Sequence, residues 1–157
     1  MRTNLIKLLS LSFLVAIVFG CEKDKETVTV NNPLFGLRGN ANGAQEAPTR
    51  VTTAATGTLT GTYNKDNNTL TFTVTWTGLT GGNPTAAHFH GPADPGVAAS
   101  VIYGFPSFPA TASGTYSGST VLTDAQEADL VNGLWYWNVH NATYPGGEIR
   151  GQVVLTQ

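Results

Sequence analysis

The chain is poor in the residues from which most reactive sites are built. Its 157 residues include one cysteine, three histidines and one methionine, with eight basic and ten acidic side chains. One cysteine excludes an internal disulfide framework. So few charges, set against eighteen glycines and eight prolines, exclude a coiled coil or a long-helix protein. A formal net charge of −2 leaves no basic stripe, so no nucleic-acid partner is expected. No apolar run reaches the roughly 20 residues that a spanning helix needs. What the chain does have is threonine, 23 in all, and a 41% hydrophobic share too high for a disordered protein. Length and composition together predict a single Thr/Gly-rich β domain.

The first twenty residues read as an address. Arg2 and Lys7 precede the apolar stretch Leu8–Phe19, which ends at Gly20-Cys21. A positive start followed by a short apolar run is the pattern of an export signal. Val18-Phe19-Gly20-Cys21 resembles the lipobox of bacterial lipoproteins, which implies cleavage before Cys21 and acylation of that residue, palmitate included. Several acyl chains on one residue exceed the two-signal threshold for stable anchoring. The alternating charges Glu22-Lys23-Asp24-Lys25-Glu26 and then Asn31-Asn32-Pro33 cannot pack in a core and predict a solvated tether. The expected organisation is a signal peptide at 1–20, a tether at 21–33 and one domain at 34–157. From Cys21 onward the chain has six basic and ten acidic residues, a net charge of about −4. The expected location is the cell envelope, at the outer membrane, with surface display left open. The expected partners are the membrane, through the lipid, and an envelope protein or glycan.

Periodicity supplies the fold class. Leu70, Phe72, Val74 and Trp76 alternate with the threonines of Thr69–Thr77, which is a half-buried antiparallel strand with a wet Thr face. Thr56–Tyr63 precedes it, joined by the Asn/Asp-rich turn 64–68. Further strands are expected at Leu34–Gly39, Thr85–His90, Ala98–Tyr103, Thr115–Leu122, Leu134–Asn141 and Glu148–Leu155. Thr123 with Gln126 forms a capping-box pattern ahead of a short helix near 124–132, stopped by Gly133. Eight short strands predict an all-β, antiparallel two-sheet sandwich of Greek-key or immunoglobulin-like type. The expected filling is Leu70, Phe72, Val74, Trp76, Trp135, Trp137, Val139, Ile149, Val153 and Leu155.

All three histidines fall in two short segments, His88-Phe89-His90 and Asn138-Val139-His140. On a strand, His88 and His90 share a face, and His140 shares one with Asn138 and Tyr136. A hairpin through residues 141–147 would bring Glu148 near His140, with Arg150 on the same face as Glu148. Two readings stand side by side. His88, His90, His140 and Glu148 match the ligand sets of zinc or copper sites. Alternatively the imidazoles bond backbone carbonyls and Glu148 pairs with Arg150, so that these residues and Asn138 form a structural polar network.

Signatures of catalysis are scarce. None of the serines sits in a Gly-x-Ser-x-Gly elbow, and Asp124, Glu127 and Asp129 fall on the solvated face of the short helix. No catalytic residue is assigned, and the balance leans away from an enzyme. Tyr103, Phe105, Phe108, Tyr116 and Tyr144 are candidates for a carbohydrate platform. The segment Phe105–Pro109 is either an exposed apolar tip or a loop folded back over a sheet end.

Five strings in order carry a wider likeness: Gln45-Glu46-Ala47-Pro48, Ala54-Ala55-Thr56-Gly57, Ala86-Ala87-His88-Phe89-His90-Gly91, Gly133-Leu134-Trp135-Tyr136-Trp137-Asn138-Val139-His140 and Pro145-Gly146-Gly147-Glu148-Ile149-Arg150-Gly151-Gln152. Together they resemble the CHRD domain over roughly residues 34–157. The resemblance implies an extracellular β-sandwich-like module, named for the repeats of chordin and also found in bacterial exported proteins. Its animal members belong to a protein that sequesters bone morphogenetic growth factors. The family supplies no catalytic residue to transfer, and a shared fold does not carry a partner with it.

Overall fold

The computed structural model describes residues 32–157. The expected signal peptide, Cys21 and most of the tether lie outside the described residues. Strands form at Leu34–Asn42 (β1), Thr56–Asn64 (β2), Thr69–Thr77 (β3), Pro84–His90 (β4), Val101–Gly104 (β5), Gly114–Val121 (β6), Tyr136–Asn141 (β7), Ile149–Gln152 (β8) and Val154–Thr156 (β9). One α-helix, Asp124–Val131 (α1), interrupts them. It begins with the expected capping box, the Gln126 N–H donating to the Thr123 hydroxyl and the Thr123 N–H to the Gln126 side chain.

The strands make one antiparallel sheet in the order β5-β4-β7-β8-β1-β2-β3-β6, with β9 also on β1. The all-β, antiparallel fold with one short helix is as expected, but the sheet curls into a half-barrel and does not divide clearly into the two sheets of a sandwich. The physical reason is continuity: β1 pairs with β2 along its whole length and also takes β8 and β9 as partners, so no gap divides the ladder. Right-handed twist then brings one face of a long sheet around on itself. At Gly57 on β2, the indole of Trp137 from β7 fills the space a Cβ would occupy, 2.5 Å away. The two edge strands approach each other as well, the Tyr103 hydroxyl of β5 donating to the Ser119 carbonyl of β6 at 3.4 Å.

The concave face is the core. Leu59, Tyr63, Leu70, Phe72, Val74, Trp76, Phe89, Trp135, Trp137, Val139, Ile149 and Val153 are all buried there, and Leu155 is partly so. Phe105 is buried among them, and Phe108 stacks on Trp76 at 4.3 Å between ring centroids. The 105–109 segment therefore folds back over the sheet end. Tyr103 and Tyr116 pack against the same core, so four of the five rings considered for a carbohydrate platform are structural. The expected final strand breaks in two at Val153. This residue is buried and donates its N–H to the Trp135 carbonyl, turning β9 away from β8 and onto β1.

Candidate functional site

On β4, β7 and β8 both faces are covered. The pairing sets Ala86 opposite His140, His88 opposite Asn138 and His90 opposite Tyr136, while Asn138 also lies opposite Arg150. Strand alternation sends these polar side chains to the convex face, away from Phe89, Trp137 and Val139. Three stretches of chain fold over them. From residues 91–100, the Val97 and Asp94 carbonyls accept from Arg150, the Ala93 carbonyl accepts from Gln152, and Ala99 meets His90 and Tyr136. From residues 143–147, the Pro145 and Gly146 carbonyls meet His140 and Asn138. From residues 44–50, Glu46 reaches down beside Asn138 and Arg150.

The structure brings His88, His90 and His140 together, their candidate ligand nitrogens lying within 4.8 Å of one another. His140 Nδ1 lies 2.9 Å from the Pro145 carbonyl, an acceptor, so the ring proton sits on Nδ1 and Nε2 bears a lone pair. His88 Nδ1 donates to that lone pair at 3.1 Å. Burial holds His140 down at about 4 despite the carbonyl's opposing pull, and neighbouring imidazoles push the same way. Burial and the proximity of His90 likewise lower His88. Neutral rings are ligand-competent rings.

His90 is placed differently. Its Nδ1 lies 3.0 Å from the Ala99 carbonyl and its Nε2 lies 3.0 Å from Asn138 Oδ1. The Asn138 amide is oriented by its own donation to Gly146, so both partners of His90 are acceptors. A neutral imidazole donates only once, and one of the two contacts is then unmade. Burial lowers this ring too, against the pull of those two acceptors. Tyr136 stacks flat on His90 at 4.7 Å, and Arg150 caps the other side of the Tyr136 ring at 3.5 Å, a cation–π contact.

Glu148 stands apart from this group. It precedes the β8 ladder, and its carboxylate meets the loop residues Thr53, Thr80 and Gly81 and the β7 residue Asn141. Oε1 accepts from the Thr53 and Thr80 hydroxyls and the Thr80 N–H, and Oε2 from the Gly81 N–H and the Asn141 amide. Burial raises the carboxyl, but these donors outweigh it and hold the group near 2. The expected Glu148–Arg150 pairing is not formed: Arg150 is engaged with carbonyls and Glu148 with this separate knot.

Glu46, in the string Gln45-Glu46-Ala47-Pro48, carries no sequence signal of a site role. Glu46 is buried, and its Oε1 has no hydrogen-bond partner. Burial raises it to about 7, with Arg150, the Ala47 N–H and the Asn138 amide pulling back. Gly147, at φ +123°, passes so close that any Cβ there would strike the Glu46 carboxylate and the Asn138 amide. Glu46 and Arg150 line a cleft of about 460 Å³ between Ala44–Arg50 and Pro95–Gly96. Thr53 and Thr80, the Glu148 partners, carry none either. An acid or hydroxyl in an irregular loop has no periodicity to mark it.

The CHRD domain family model matches residues 37–153, which include every residue of the histidine cluster and of both glutamate sites. No curated protein and no solved structure matches the chain. The matched stretch covers most of the sequence and carries the buried polar layer whole: the chain belongs to the CHRD domain family.

Proposed function

We propose that the protein is an exported, lipid-anchored component of the bacterial cell envelope whose CHRD domain is a non-catalytic binding or scaffold module. One observation carries the second half of that reading. On β4, β7 and β8 most polar side chains of the convex face hold loops, Arg150 on Val97 and Asp94, Gln152 on Ala93 and Gly133, and His90 on Ala99, while Glu148, just before β8, holds Thr80 and Gly81. Loops fixed on a rigid sheet form a recognition platform. The cleft beside Glu46 and Arg150 is the place for a segment of an envelope protein or a glycan.

The anchor reading rests on Arg2, Lys7, the Leu8–Phe19 run and Gly20-Cys21. A net charge of about −4 from Cys21 onward gives no attraction to an anionic phospholipid surface, so anchoring falls to acyl chains. The outer membrane is the destination, and the charged tether suits surface display.

Two measurements test the proposal. Cys21→Ser should move the protein from the membrane to the soluble fraction and abolish labelling by a palmitate analogue; unchanged membrane retention overturns the anchor. A glycan array, together with crosslinking in the envelope through a probe placed at Arg50 on the cleft rim, should give a saturable adduct or hit. Neither one appearing overturns the binding role.

A further inference from the structure

Among the three histidines, one pair differs from everything around it. Arg150 and Gln152 end on backbone carbonyls of the loops, His90 on the Ala99 carbonyl and the Asn138 amide, Glu148 on Thr53, Thr80, Gly81 and Asn141, and His140 Nδ1 on Pro145. His88 Nδ1 and His140 Nε2 end on each other, 3.1 Å apart. His88 is only half-buried, and the residue opposite it on β5 is Gly104, which carries no side chain to close over the ring. The pair is therefore reachable from solvent on the His88 side, His140 itself being buried.

We infer that His88 and His140 form the base of a binding site for a divalent first-row transition metal ion, with His90 as the third ligand. Tetrahedral Zn–N bonds of about 2.0–2.1 Å separate neighbouring ligand nitrogens by about 3.3 Å. The observed spacing is already within a few tenths of an ångström of that. His140 needs no change, since its proton is fixed on Nδ1 by the Pro145 carbonyl, the outer-shell contact that commonly orients a ligating imidazole. His88 exchanges its Nδ1 proton for one on Nε2, a tautomer shift that frees Nδ1 without net proton release. His90 carries one unmade contact in its neutral form, so leaving Asn138 forfeits at most one hydrogen bond. Its ring centroid stands 5.4 Å from that of His88 and 6.0 Å from that of His140, close enough for a small ring movement to complete the set. Glu148 is not a ligand, because both of its oxygens are taken. Imidazole donors and the general affinity order favour Cu²⁺ over Zn²⁺.

The experiment titrates ZnCl₂ and CuCl₂ separately into the full chain carrying Cys21→Ser, so that no thiol competes. Calorimetry should give one ion per chain, with Cu²⁺ tighter. His88→Gln should weaken Zn²⁺ at least tenfold with an unchanged circular dichroism spectrum, whereas Glu148→Gln should leave the stoichiometry at one wherever it folds. Histidine ring ¹⁵N spectra of the Cys21→Ser chain, with all three histidines intact, should report Zn²⁺ on Nδ1 of His88 and Nε2 of His140. This readout holds even if His140 variants fail to fold. No stoichiometric binding of either ion, or Zn²⁺ affinity unchanged in His88→Gln, overturns the inference and leaves the anchor and scaffold proposal standing.

Discussion

The two ends of this one sheet follow the same alternation and put it to opposite uses. On β3 and β6 the convex positions are Thr and Ser, paired across the strands as Thr71–Ser119, Thr73–Ser117 and Thr75–Thr115 and open to solvent. On β4, β7 and β8 the convex positions are His, Asn, Tyr and Arg, and the loops close over them until all six residues of β7 are buried. The backbone does not distinguish the two regions. The difference lies in whether a loop returns across the face. Where none does, side-chain hydroxyls trade with water and contribute little. Where one does, every polar atom must find a partner or bear the cost of lacking one.

That contrast predicts a steep gradient of mutational effects. The largest belongs to Glu148→Gln. An amide cannot accept from all the donors that converge on this carboxylate, and one of its own N–H groups would face a donor. The expected loss is about 3 kcal/mol, read by urea unfolding at pH 7. The same group sets an acid limit. Its folded value, near 2, lies below its ordinary 4.5, so its stabilisation is complete above about 4.5 and disappears as pH falls toward 2. Glu148→Gln should flatten that acid arm.

Glu46 runs the other way. Raised from 4.5 to about 7, it keeps its proton in the folded protein while the unfolded chain has already lost one. Stability should therefore fall as pH climbs from about 4.5 to 7, by up to about 3 kcal/mol at roughly 1.4 per pH unit. Glu46→Gln should remove that slope, measured by thermal unfolding across the window. If the slope persists in the variant, the buried acid is not its source.

Gly147→Ala comes next, at about 2 kcal/mol. The backbone at φ +123° resists any side chain, and the new methyl would displace Glu46. Thr73→Ala, on the open face, should cost less than about 0.5 kcal/mol despite its 2.8 Å partner Ser117. A large effect there would erase the distinction between the two regions.

The same division governs what could be read from the sequence. Thr69–Thr77 is legible to the residue because one wet face and one dry face leave a pure period of two. The α1 start was equally plain, since Thr123 and Gln126 act on their own neighbours. The histidine face was legible through alternation together with the β7–β8 hairpin. What escaped depends on contacts distant in the chain. Alternation says which residues face inward but not whether β1 joins β8 and β9 into one continuous sheet. Glu148 was assigned by alternation to a ladder that begins one residue later, and its true partners lie in loops at Thr53 and Thr80–Gly81. Glu46 reaches the site from an aperiodic segment.

The β1–β9 pairing also constrains the order in which the sheet can close. Gly36, Leu37 and Arg38 are matched to Thr156, Leu155 and Val154. The first described strand must therefore find a partner more than a hundred residues further along the chain before that edge is paired. Contacts so far apart along the chain slow closure and keep sticky surface exposed meanwhile. Closing the sheet therefore rests on a pairing that spans nearly the whole of the described domain.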